Sequence, residues 1–241
     1  MSTAPDAGRG TAPDQHRVRR FLRHNSLGLF FLTAFLLALM GQAVAGHAEF
    51  NNQLVTEGLA PIGLGTYLTT SDFAVDVTEN WQSEYLQFFL YIFATVWLLQ
   101  RGSPESKELG KAGTESDEEQ MTGAYAKAES PRWAAHTDWR GAVFSRSLGL
   151  VMGGLFLLSW LTQSVTGVAA YNEQQLRGLQ APLTWAQYLS SADFWSRSLQ
   201  NWQSELLAVA SMAVFAIYLR QRGSPESKPV GAAHGATGVE G

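Results

Sequence analysis

The chain has 241 residues, a formal net charge of −4 and no cysteine. The missing cysteines exclude disulfides, thiolate metal sites, cysteine nucleophiles and thiol oxidation in the membrane, and the acidic balance gives no case for nucleic acid. A mean hydropathy of −0.07 looks soluble, but it averages dense apolar runs against polar tails and a charged centre.

Residues 1–16 form an Ala-, Pro- and Gly-rich tail. It has no periodic apolar pattern and is expected to be disordered. Arg17, Arg19, Arg20 and Arg23 follow, interleaved with Val18, Phe21 and Leu22. That mixture suits either an amphipathic segment on an anionic membrane surface or a basic flank that fixes topology. Residues 26–46 are apolar except for Thr33 and Gln42, and long enough as a helix to span the roughly 30 Å hydrocarbon core. The flanking arginines and the Ala43-Val44-Ala45 run also fit a signal peptide. An equivalent segment at 147–167 lies mid-chain, where no signal peptide belongs, so both are read as uncleaved spans.

A loop is expected from His47 to Ser71. Thr70 or Ser71 then caps a helix with Asp72 in its first turn. That helix starts near 72, spans lipid over about 81–100, and stops at Gly102 and Pro104. Residues 103–138 form a charged linker, expected to be mostly disordered. Trp133, Trp139, Val143 and Phe144 suggest an interfacial segment ahead of the next span. Ser191 and Asp193 repeat that start for the fourth helix, which begins near 192 and spans about 202–221, and residues 224–241 are expected to form a flexible tail.

Much of this occurs twice. Asn80-Trp81-Gln82-Ser83-Glu84 returns unchanged as Asn201-Trp202-Gln203-Ser204-Glu205. Gln100–Lys107 and Gln221–Lys228 both read QRGSPESK. The offset is constant at 121 (147 − 26, and 202 − 81); only Gly58-Leu59 and Gly178-Leu179 align with a shift of one residue. This is the signature of a duplication. The first repeat covers 17–102 and the second 139–223. Each holds two spans, so both insert with the same orientation, which allows a twofold axis along the membrane normal. Basic residues crowd the tails and linker, whereas the inter-span loops hold only Arg177 and Arg197. The positive-inside rule then puts both termini and the linker in the cytoplasm. The expected fold is all-α and polytopic, with four transmembrane helices as two tandem parallel hairpin repeats.

The duplicated NWQSE, the apolar helix after it and the GSPESK exit resemble a bacterial family of small integral membrane proteins catalogued only as a domain of unknown function. The resemblance covers roughly 21–110 and 139–231. It implies a bacterial inner-membrane protein and carries no activity and no site residue.

Glu84 and Glu205 fall about one turn below Trp81 and Trp202, which are read as interface anchors. Gln42 and Gln163 lie at similar depth on the first and third spans. Gln42 with Glu84, and Gln163 with Glu205, are expected to form polar clusters inside each hairpin, near Asn80 and Asn201. Two other readings remain open. The glutamates are hydrated at headgroup level, or they bind a cation or proton on the axis. The latter would use the helical stripe Asn80, Glu84, Gln87, Tyr91 and Thr95, and is weakened by Ala208, Met212 and Ala216, which take the last three places in the other copy. Ser103 and Ser106 offer a minor phosphate- or partner-docking reading, and Gly149 with Gly153 a weak helix-packing motif. The five histidines lie outside the spans, which argues against haem ligation and against buried histidine-based hydrolysis or metal binding. No catalytic residue, metal ligand or cofactor is expected. The expected role is non-enzymatic, structural or partner-binding. The partners are the lipid bilayer and a second copy or another membrane protein. A small ion or proton channel or transporter using the glutamates is the alternative.

Overall fold

The computed structural model describes residues 12–239, with side chains from residue 17 onward. Those residues are all-α, with eight α-helices, two 3-10 turns and no strand. They divide into two compact units between Thr69 and Thr70, a boundary that falls inside the first repeat. The disorder expected of residues 1–11 lies outside the described residues, while 12–16 are already helical.

The first unit holds α1 (Ala12–His24), α2 (Ser26–Thr56) and α3 (Leu64–Tyr67). α2 runs ten residues past the expected end of the span. Hydropathy falls at His47, but Ala48–Gln53 still favours helix, and Phe50 and Leu54 sit four residues apart and buried. The return loop is held by Asn51. Its amide donates to the Ile62 carbonyl at 3.0 Å and accepts from the Ile62 N–H at 2.8 Å. Gly46 sits under the Tyr67 ring, where an added Cβ would overlap the phenol.

The second unit holds α4 (Ser71–Trp97), α5 (Trp139–Phe144), α6 (Ser147–Arg177), α7 (Trp185–Leu189) and α8 (Ala192–Tyr218). The expected caps are present: Thr70 accepts from the Phe73 N–H at 3.3 Å and Ser191 from the Phe194 N–H at 3.2 Å. α6 also outruns its span, and Asn172 clamps Leu183 through two bonds of 2.8 and 2.7 Å. Gly167 sits under Tyr188 as Gly46 sits under Tyr67.

The expected α6–α8 hairpin is not the main pairing. α6 packs most extensively along α4, which also contacts α8. Gly153 explains the close approach, since a Cβ there would stand 3.0 Å from the Phe89 ring. Gly149, the other half of that motif, meets nothing. α6 and α8 meet through aromatic rings, with Trp160 5.9 Å from Phe194, 6.0 Å from Trp195 and 5.6 Å from Trp202.

The one-residue shift read between the loops is not structural. The left-handed residue ending α2 is Gly58 (φ 74), and the one after α6 is Leu179 (φ 56). The closing bonds, Leu59 N–H to Leu54 O and Gln180 N–H to Gln175 O, keep the offset of 121.

α4 stops at Trp97 rather than Gln100, and Gly102 is not its cap. Leu98 turns extended (φ −94, ψ 133), as Leu219 does after α8 (φ −94, ψ 159). QRGSPESK then folds as its own tight module, alike in both copies. Gln100 N–H donates to Ser106 Oγ and Gln221 N–H to Ser227 Oγ, both at 2.9 Å. Gly102 and Gly223 take φ of 86 and 82. Ser103 and Ser106 are buried in this turn, so they are structural acceptors and not an open docking face.

Residues 103–138 and 224–239 run mostly as turns tied by hydrogen bonds. Lys107 Nζ binds Gly113 O at 2.7 Å and Glu115 at 2.5 Å, and Gly113 N–H donates to Val96 O at 2.7 Å. Lys228, 1% exposed, donates into four carbonyls: Gly102 at 2.7, Ala233 at 3.3, His234 at 2.9 and Ala236 at 3.2 Å. Thr237 Oγ1 accepts from Gly102 N–H, and Gly238 N–H donates to Ser103 O. The tail thus docks on the first exit module.

Candidate functional site

The side chains of interest lie on α4 and α8, in three layers. The outer layer is a charge cluster. Arg197 on α8 reaches Glu79 at 3.0 Å and Asp76 at 3.8 Å on α4, and Asp193 at 3.5 Å on its own helix. Tyr188 on α7 donates to Asp193 at 2.9 Å. On α6, Arg177 pairs with Glu173 at 2.6 Å, and both act electrostatically on Asp72. Burial pushes the Asp76 and Glu79 carboxyls above their ordinary range, and Arg197 only partly reverses this. Burial likewise raises Asp72, helped by Glu173 and Asp76. Sequence reasoning passed over this cluster. Its signal was Arg197 standing 121 residues after Asp76, a base replacing an acid at equivalent positions.

The middle layer holds the residues of α4, α6 and α8 that were singled out in the sequence. Glu84 is exposed on α4, Glu205 is half-buried on α8, and each lies within electrostatic reach of the other. Gln163 is fully buried, and neither amide atom has a hydrogen-bond partner. The expected Gln163–Glu205 bond is therefore not made, because α6 lies along α4. Gln42, on α2 in the first unit, is exposed. Asn80 and Asn201 bond back to their own helices, to Asp76 O at 2.7 Å and Arg197 O at 3.0 Å, so they do not join a glutamate cluster. Trp81 is exposed. Trp202 is half-buried among the α6 and α8 aromatics, and its indole N–H donates to the buried Gln82 at 2.7 Å. Gln82 lies inside the duplicated pentapeptide but its counterpart Gln203 is exposed, so the motif alone could not mark it.

The inner layer joins the exit modules to the helices. Tyr91 donates to Glu105, and Glu105 lies within hydrogen-bond reach of Glu226, its equivalent in the other copy. That bond and the neighbouring negative charge push the Glu226 carboxyl upward. Gln87 and Tyr91 of the α4 stripe meet Ala208 and Met212 of the α8 stripe across a cavity of about 450 Å³, with Glu105 and Glu226 at its end. Among the described residues, no group of three or more metal-ligating side chains stands together.

Two helices, α2 and α6, are long and apolar enough to cross a membrane. No curated protein and no solved structure matches the chain. A family model described as "Domain of unknown function (DUF6766)" matches residues 18–239. Since that match spans nearly all of the 241 residues, the chain belongs to the family of this domain of unknown function.

Proposed function

We propose that this is an integral protein of the cell membrane in which α2, α4, α6 and α8 all cross the bilayer as two tandem repeats. Both termini and the linker face the cytoplasm. It acts without catalysis, as a structural or partner-binding component, alone or as a homo-oligomer. The observation that carries the membrane reading is the exposed apolar surface. Leu27, Phe30 and Leu37 on α2 are exposed, as are Leu150, Leu157 and Leu158 on α6. α4 and α8 add Phe93, Leu207 and Phe215. A soluble protein does not leave that much apolar helix surface open to water, whereas lipid satisfies it. The matched lengths support the duplication: 31 residues for α2 and α6, and 27 for α4 and α8.

The natural chain has no cysteine, so single cysteines report without background. With an impermeant maleimide on intact cells, Leu59→Cys and Leu179→Cys are expected to label, and Ala128→Cys only after lysis. Labelling of all three on intact cells rejects the four-span topology.

A second reading, a cation or proton path along α4 and α8, is favoured by one observation. Equivalent glutamates lie within electrostatic reach of one another, Glu84 with Glu205 and Glu105 with Glu226. Proteoliposomes of the native protein should then pass protons or cations, and a folded Glu84→Gln, Glu205→Gln variant should not. Absence of native flux removes this reading.

A further inference from the structure

The cavity between α4 and α8 has a chemistry of its own. Its walls are mostly apolar, with Phe88 on one side and Val209 and Met212 on the other and Gln87 as the polar exception. Its end is acidic: Glu105 accepts from Tyr91, and Glu226 stands beside Glu105. Its volume of about 450 Å³ falls within the ordinary range for a small-molecule site. Two carboxyl groups this close do not both ionise comfortably without a cation or a shared proton. The nearest lysine of each exit module is already committed, Lys107 to Gly113 and Glu115 and Lys228 to its four carbonyls. Among the described residues, no ion pair reaches Glu105 or Glu226. An inorganic cation would meet the carboxylates but leave the apolar walls unused. A neutral apolar molecule would fill the walls and leave the carboxylates unmatched.

We propose that this cavity binds an amphipathic organic cation, with its charged centre at Glu105 and Glu226 and its apolar body against Phe88, Val209 and Met212. This goes beyond the structural or partner-binding reading, and it does not require that any ion cross the membrane. Binding and protonation compete for the same carboxyl pair. The raised Glu226 carboxyl extends that competition above the ordinary carboxylate range. Around the pair, Tyr91 comes from α4 and the remaining acidic groups from the exit modules themselves.

The test is equilibrium binding of radiolabelled tetraphenylphosphonium to the full-length protein in detergent, at pH 8 and pH 5. Saturable binding of one cation per chain is expected at pH 8, weakened at least about tenfold at pH 5, in line with loss of coulombic attraction to the ionised pair. Two variants separate the contributions. A Glu105→Gln, Glu226→Gln double variant removes the charge, and Met212→Trp fills the cavity with both carboxylates intact. Each should lower affinity by about tenfold or more while the thermal melt shows a folded protein. If the double variant does not fold, the Met212→Trp result decides alone. Non-saturable uptake, or binding that survives Met212→Trp, overturns the proposal. So does equal loss of binding when phosphatidylethanolamine is added, because the groove then belongs to a lipid amine. Flux measurements remain separate, since cation binding without flux removes the ion-path reading and leaves this site standing.

Discussion

Leu179 is a side chain in a place that suits glycine. Its φ of 56 is left-handed, and it is 94% exposed, so its side chain gains nothing from packing. A non-glycine residue pays roughly 1–2 kcal/mol for that conformation. The equivalent position in the first loop is Gly58. Leu179→Gly is expected to stabilise the protein by about 1 kcal/mol, read as a higher melting temperature in detergent, and Gly58→Ala to destabilise it by a similar amount. A lower melting temperature for Leu179→Gly would show that the backbone there is not under strain. Some residue roles were legible in the sequence. Thr70 and Ser191 were readable as caps because capping is local chemistry. Asn51 and Asn172 were visible only as a repeated pair, because their bonds reach eleven residues ahead into a loop whose path the sequence does not display.

At the scale of elements, the exit modules differ in what their lysines hold. Lys228 has three N–H donors and four carbonyl acceptors, so the two longest contacts share a proton. Burial lowers its pKa, yet the carbonyl cage supplies the partial negative charge a buried ammonium needs. Lys107 has one carbonyl and Glu115 and is more open, with its side chain 24% exposed. Lys228→Met is therefore expected to release the tail and cost about 1–3 kcal/mol, with Lys107→Met costing less. Hydrogen exchange at the Gly238 amide, which bonds Ser103 O, reads the release directly. Slow exchange there in Lys228→Met would show that the tail docks without its lysine. The tail looked flexible in sequence because glycine, alanine and the single histidine carry no periodic signal. Its order comes from backbone carbonyls meeting one cation. Helix lengths were misread for a related reason. Hydropathy marks where the apolar stretch ends, while the helix continues as long as its backbone and local residues allow.

At the scale of the molecule, the outer charge cluster sets how stability depends on pH. Asp72, Asp76 and Glu79 have folded pKa values raised by burial. A raised carboxyl binds its proton more tightly in the folded state. Its contribution is therefore present at low pH and is lost as pH rises through the folded value. The melting temperature is expected to rise on acidification from about pH 8 to about pH 5. Arg197→Gln removes the cation that holds Asp76 and Glu79 down, so it should lower stability at pH 8 and steepen the dependence. A flat profile in that variant would show that the cluster is hydrated and does not bear on folding. The all-α class, the paired lengths and the apolar segments were legible in composition and repetition. The helix partnership was not. The repeated motifs invite a reading of each helix against its own neighbour, whereas α6 packs along α4, with Gly153 against the Phe89 ring.

That partnership has a consequence for synthesis. α4 leaves the ribosome with the linker still to come, and at ordinary translation rates α6 is complete only on the order of ten seconds later. During that interval α4 carries a long face whose partner does not yet exist. The chain that emerges first is the linker, and its Gly113 N–H bonds the Val96 carbonyl at the end of α4. That bond, like the one from Tyr91 to Glu105, is available before the helix that completes the packing has been made.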